Sequence, residues 1–243
     1  MHTNSPQRLK EGTALPPRMR FSKIAWLFVL GFAAQFVTYL IFHACHASLT
    51  ASVMASTAAN ALCWIAGYEL FSFDADWGSL ASRFRPVEPR VVWASAAAPL
   101  GLVLSFSAIV QILVRAGVQM QSIPTPPYLT PDLFSLPLQF LVVVLIGPFA
   151  EELMFRGLLL DWLKQKLPVW AAVLAGALVF GLAHGVSVRS GASGWAQLVY
   201  RVILGLVTSL LVLRFKSLRP SFVLHAVNNA IALAASALIL KHP

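Results

Sequence analysis

The chain has 243 residues, of which 58% are hydrophobic and only 11% are charged. Its mean hydropathy of +0.75 is typical of an integral membrane protein and excludes a soluble globular domain. A net charge of +9 is compatible with nucleic-acid binding, but the basic residues are grouped in loops on one side of the predicted bundle. This grouping argues against a nucleic-acid partner.

Seven stretches of the chain are apolar over enough residues to cross a bilayer, which takes about 20 residues in a helix. The predicted spans one to seven are Ile24–Phe42, Ser48–Leu70, Val91–Val114, Leu136–Leu160, Val169–Val186, Ala196–Leu213 and Ser221–Leu240. This pattern predicts an all-α, polytopic membrane helical bundle in contact with the lipid bilayer. We expect a disordered basic tail over residues 1–23 and a single transmembrane domain over residues 24–243.

Lysine and arginine residues mark one side of the bundle. They lie before span one, between spans two and three, after span four and between spans six and seven. The loops on the other side contain only Arg115, Arg189 and Lys241. By the positive-inside rule, the N-terminus should lie in the cytoplasm and the C-terminus outside.

Three charged residues interrupt span four. Glu151, Glu152 and Arg156 follow a long apolar run, although each charge in hydrocarbon costs roughly 2.5 kcal/mol or more. Arg156 comes four residues after Glu152 and therefore lies on the same helix face, where an ion pair can form. Glu151 points about 100° away and has no such partner, which makes it the better candidate for transferring protons. Pro148 should kink the helix here and admit water beside Glu151.

Polar residues in spans five and seven complete a candidate site. A helical hairpin turning near Pro168 brings His184 to the depth of the two glutamates. His225 and Asn229 are four residues apart on one face of span seven, and both can donate hydrogen bonds to an oxyanion. The neighbouring Asn228 should point away from that face. We therefore expect a polar cavity between spans four, five and seven.

These residue types favour a hydrolase. The sequence has no Gly-x-Ser-x-Gly motif, so a serine nucleophile is not indicated. It also has no His-Glu-x-x-His motif, but two histidines and a glutamate can bind catalytic zinc. Without a metal, Glu151 and His184 would activate water directly. A non-enzymatic immunity or scaffold protein and a proton- or metal-coupled transporter are the alternatives, although the chain lacks the internal repeat of many transporters.

Three motifs occur in order on successive apolar segments: Glu-Glu-x-x-x-Arg (151–156), Phe-x-x-x-His (180–184) and His-x-x-x-Asn (225–229). In this combination the sequence resembles the CPBP family, the CAAX-protease and bacteriocin-processing family of intramembrane glutamic endopeptidases. The resemblance covers roughly residues 136–240, which would form the catalytic core. It implies a helical bundle with a cavity that is reached from the cytoplasm.

The same resemblance implies a role for each candidate residue. Glu151 and His184 would activate the attacking water, and His225 and Asn229 would stabilise the oxyanion. The Glu152–Arg156 pair would shape the site, and no metal or other cofactor would be required. The substrate would be a membrane-associated protein or peptide: a prenylated tail, a secreted peptide or a membrane-anchored sorting tail. We expect the enzyme to lie in a prokaryotic cytoplasmic membrane.

Overall fold

The structure is a computed structural model that describes residues 21–72, 78–120, 135–184 and 191–241. These residues form helices joined by short connections. In chain order the helices are α1 (Phe21–Ala44), α2 (Leu49–Ser72), α3 (Leu80–Arg83), α4 (Pro89–Arg115), α5 (Leu136–Lys164), α6 (Val169–Ala183), α7 (Gly191–Phe215) and α8 (Arg219–Lys241). The predicted disordered tail lies outside the described residues except for residues 21–23, which begin α1 and are therefore helical.

Six of the described helices are long and apolar enough to cross a membrane, and α6 is a shorter apolar helix of 15 residues. The outer surface of the bundle carries large apolar side chains, as a lipid-facing surface must. Trp26, Phe36, Trp93 and Trp170 are each more than 60% exposed. The chain is therefore an integral membrane protein, and the predicted polytopic helical bundle is confirmed.

Helix α5 is the most buried of the membrane-spanning helices that the structure describes. It is not a regular α-helix, because two π-helical stretches, Phe140–Ile146 and Leu153–Leu159, flank the α-helical segment Gly147–Glu152. Pro148 has no N–H to donate and its ring crowds the preceding turn, and a shift to wider π-helical turns is one way to accommodate this. The Gly147 N–H accordingly bonds to the carbonyl of Val142, five residues back. A kink is predicted at this point from the sequence, and the helix changes type there.

Helices α1 and α2 form a hairpin that packs against α5. The indole N–H of Trp64 donates to the carbonyl oxygen of Leu27 at 3.0 Å, which fixes the two helices together. Gly31 permits this close approach, since a Cβ there would lie only 2.0 Å from the Trp64 indole nitrogen. The ring of Phe28 meets that of Phe155 edge-on at 5.3 Å, and this contact joins α1 to the second π-helical stretch of α5. The hairpin therefore stands beside the charged segment of α5.

Candidate active site

The charged segment of α5 contains a buried ion pair. The side chains of Glu152 and Arg156 are 0% and 2% exposed, and their Oε1 and Nη1 atoms are 3.1 Å apart. The guanidinium carbon of Arg156 also lies 4.1 Å from the centre of the Phe180 ring. The ion pair expected from the four-residue spacing is present, and the aromatic face adds a second favourable contact for the buried cation.

Glu152 also forms a hydrogen bond with His225, a contact that was not predicted from the sequence. The Nδ1 atom of His225 lies 2.9 Å from Glu152 Oε1, and both side chains are buried. Because a carboxylate can only accept here, Nδ1 carries the proton and donates it. This bond fixes the orientation of the ring and leaves Nε2 pointing towards Glu151, at 3.7 Å from its Oε2 atom.

Glu151 lies between two histidines. Its Oε2 atom is 3.4 Å from His184 Nε2, in addition to the contact with His225 Nε2. The sequence predicts no ion-pair partner for Glu151 on its own helix, and its neighbours in the structure are imidazoles from the end of α6 and from α8. The hairpin of α5 and α6 does bring His184 to the depth of the glutamates, as predicted.

The Phe-x-x-x-His spacing has a direct structural reason. His184 follows the last turn of α6, and its Nδ1 atom lies 2.8 Å from the carbonyl oxygen of Phe180. That contact makes Nδ1 the donor and directs Nε2 towards Glu151. The Phe180 ring also meets the His184 ring at 4.6 Å and the His225 ring at 5.5 Å. Phe180 thus holds both histidines and the arginine, a positioning role that the sequence alone did not assign to it.

Asn229 and Asn228 lie in the same region of α8. The side-chain amide of Asn229 donates to the Val143 carbonyl at 2.9 Å, within the first π-helical stretch of α5. An amide nitrogen carries two hydrogens, so one N–H is engaged and the other is left for a ligand. Asn228 donates to Asn229 Oδ1 at 3.3 Å and accepts a hydrogen bond from the Tyr200 hydroxyl. The expectation that Asn228 points away from Asn229 was therefore wrong. The presence of Tyr200 in this region was not predicted from the sequence.

Two cavities meet at these residues. The first has a volume of about 430 Å³ and lies among α4, α6, α7 and α8. Its polar lining consists of Ser107, His184, Gln197, Tyr200, Arg201, His225, Asn228 and Asn229. The wall formed by α4 and α7 was not foreseen, since neither helix carries a recognisable motif.

The second cavity, about 250 Å³ in volume, lies between α5 and the α1–α2 hairpin. Glu151 and His184 form one side of it, and Gln35 and Asn60 form part of the other. The side-chain amide of Asn60 donates to Gln35 Oε1 at 3.0 Å. His184 lines both cavities, so the Glu151–His184 pair lies at their boundary. The presence of Gln35 and Asn60 in otherwise apolar spans was the only sequence signal of this second cavity.

The arrangement can support acid–base chemistry. One carboxylate faces two imidazole nitrogens, and both imidazoles have their other nitrogen fixed by a hydrogen bond. Within the part of the chain that the structure describes, no three His, Cys, Asp or Glu side chains are grouped as ligands of one metal ion. Chelation is the direct test of the zinc alternative.

Comparison with known proteins identifies the region that carries the site. Residues 133–231 match the family model described as type II CAAX prenyl endopeptidase Rce1-like. This range includes all six candidate residues, from Glu151 to Asn229. No curated protein and no solved structure matches the chain.

Proposed function

We propose that the chain hydrolyses a peptide bond of a membrane-associated protein or peptide, because residues 133–231 match the family model described as type II CAAX prenyl endopeptidase Rce1-like. The observation that carries this proposal is the position of Glu151 Oε2, 3.4 Å and 3.7 Å from two imidazole Nε2 atoms at the boundary of two cavities. A water molecule there would be within reach of one carboxylate and two imidazoles.

The first step is the addition of water to the scissile carbonyl. Glu151, aided by His184, takes a proton from the water as its oxygen bonds to the carbonyl carbon. The carbonyl double bond becomes a tetrahedral oxyanion. Collapse of this intermediate breaks the carbon–nitrogen bond, and the proton held by Glu151 and His184 passes to the departing amine. The products are a carboxylic acid and an amine, and no covalent enzyme intermediate forms.

The oxyanion is stabilised by groups on α8. The second N–H of Asn229 is one donor. His225 is the other donor: its Nδ1–H already donates to Glu152, so a proton on Nε2, the nitrogen that faces Glu151, is the one that can reach the oxyanion. Glu152 and Arg156 hold His225 and Phe180 in place, so their role is positioning.

The substrate peptide extends through both cavities. The scissile carbonyl lies at the Glu151–His184 boundary, with one side of the peptide in the cavity lined by Tyr200 and Asn228 and the other in the cavity lined by Gln35 and Asn60. We further propose that the N-terminus is cytoplasmic, as the distribution of basic residues predicts.

The test is the appearance of new protein termini. Membranes from cells that lack the gene are solubilised in detergent and incubated with the purified protein, and new N-termini are identified by mass spectrometry. A matched incubation uses Glu151→Gln protein that elutes as a single species and melts like the wild type. We expect a defined set of cleavage sites in membrane-associated proteins that depends on Glu151. The proposal fails if well-folded wild-type protein produces no more new termini than the variant.

A further inference from the structure

A basic pocket lies away from the candidate active site, at the end of the bundle. It has a volume of about 460 Å³ and is formed by α3 and the segment after it, the last turn of α5 and the connection between α7 and α8. Arg83, Arg85, Lys164 and Lys216 line this basic pocket, together with one acidic side chain, Asp161. The proposed hydrolysis uses none of these residues.

Hydrogen bonds between the connecting segments build the walls of the basic pocket. The Leu218 N–H donates to the Arg83 carbonyl at 2.8 Å. The Ser217 hydroxyl donates to the Arg85 carbonyl, also at 2.8 Å. These two bonds join the end of α3 and the segment after it to the segment before α8. The pocket is therefore a fixed feature of the fold and not a chance gap between surface side chains.

The basic pocket has an excess of positive charge. Asp161 forms ion pairs with both Arg83 and Lys164, so its two oxygens are engaged. In the described ranges, Arg85 and Lys216 have no carboxylate partner. With four basic side chains and one acidic side chain, the lining carries a net charge of +3. An anion bound here would relieve the mutual repulsion of these cations.

The remaining lining and the position of the pocket indicate what kind of anion fits. Val212, Leu213 and Leu218 supply an apolar wall beside the basic side chains. Two of these residues belong to the last turns of α7, a membrane-spanning helix, so the pocket lies where a membrane surface meets the solvent. A phospholipid has this combination of a phosphate and an adjoining acyl chain, and basic pockets between transmembrane helices bind anionic headgroups.

We propose that the basic pocket binds the phosphate-bearing headgroup of an anionic phospholipid. Arg85 and Lys216 contact the phosphate, and the apolar wall receives the start of an acyl chain. Asp161 and Lys164 lie on α5, ten and thirteen residues after Glu151. A bound lipid therefore holds together the two connecting segments and the end of the helix that carries the glutamates. This proposal does not depend on the peptidase function.

The experiment measures thermal stability of delipidated protein in a neutral detergent. The melting temperature is recorded with added phosphatidylglycerol, phosphatidylcholine or soluble glycerol 3-phosphate at equal concentrations. We expect phosphatidylglycerol to raise the melting temperature by several degrees and the other two to have little effect, since a ligand that binds only the folded state stabilises it. Native mass spectrometry of the wild type, with counts of bound phosphatidylglycerol and phosphatidylcholine, provides a second measurement that requires no variant.

A pair of charge-matched variants locates the site. The first double variant, Arg85→Gln with Lys216→Gln, removes two cations from the pocket. The second, Lys166→Gln with Arg219→Gln, removes two basic residues that lie on the same side of the bundle but outside the lining. The first variant should lose most of the phosphatidylglycerol effect, and the second should keep it. Equal stabilisation by the two lipids, or an undiminished effect in the first variant, overturns the proposal. Equal stabilisation by glycerol 3-phosphate would make the pocket a site for soluble phosphate and would overturn the lipid assignment.

Discussion

Removal of Arg156 should destabilise the protein strongly, and part of that loss should be recoverable by a second substitution. In Arg156→Ala, Glu152 stays fully buried and loses the guanidinium that lies 3.1 Å from its Oε1 atom. Breaking a buried ion pair by deleting one partner commonly costs about 3–5 kcal/mol, because the other charge is left buried. His225 still contacts Glu152, so we expect about 3 kcal/mol. For a globular chain of this size, that corresponds to a fall in melting temperature of about 6–12 °C.

The double variant Glu152→Gln with Arg156→Ala removes the stranded charge. A neutral amide can still accept a hydrogen bond from His225, so we expect the double variant to melt several degrees above Arg156→Ala. Melting in detergent, followed by tryptophan fluorescence, measures both. Arg115→Ala is the control, since Arg115 is exposed at the end of α4 and its loss should change stability by less than about 0.5 kcal/mol. If the double variant melts no higher than Arg156→Ala, loss of the Glu152–Arg156 ion pair is not the cause of the destabilisation.

Four further predictions concern the site and its orientation. Glu151→Gln should lower cleavage by about 10²–10⁴-fold, the usual contribution of a general base, with unchanged melting; near-normal activity would remove Glu151 from the mechanism. Cleavage should survive exhaustive chelation, whereas a loss that added zinc reverses would show that the same residues hold a metal. Asn60→Leu should raise KM more than it lowers kcat, because Asn60 lines the second cavity and its side-chain amide donates to Gln35; an unchanged KM would exclude this cavity from substrate binding. Single cysteines at the exposed positions Lys166 and Arg115, in a background without the two native cysteines, should label from opposite sides of the membrane; labelling from the same side would refute the topology.

Local periodicity was sufficient for the parts of the site that lie within one helix. The four-residue spacing of Glu152 and Arg156 predicts their ion pair, and the spacing of Phe180 and His184 places both on one face of α6. The depth of His184 follows from the length of the α5–α6 hairpin, because its two helical arms contain similar numbers of residues between the turn and the site. The apolar composition likewise predicts the polytopic helical bundle, since only helices and closed barrels satisfy the backbone in lipid.

Contacts between helices were decided by tertiary packing. The rotation of α8 about its own axis, relative to α5, cannot be predicted from the sequence. In the structure this rotation places His225 against Glu152 and Asn229 against the Val143 carbonyl. The π-helical stretches of α5 change the direction in which its side chains point, so a regular 3.6-residue period cannot predict which groups meet Glu151. The second cavity, with Gln35 and Asn60, depends on where the α1–α2 hairpin docks. That position is set by side-chain fit over many residues, and hydrophobic periodicity does not encode it.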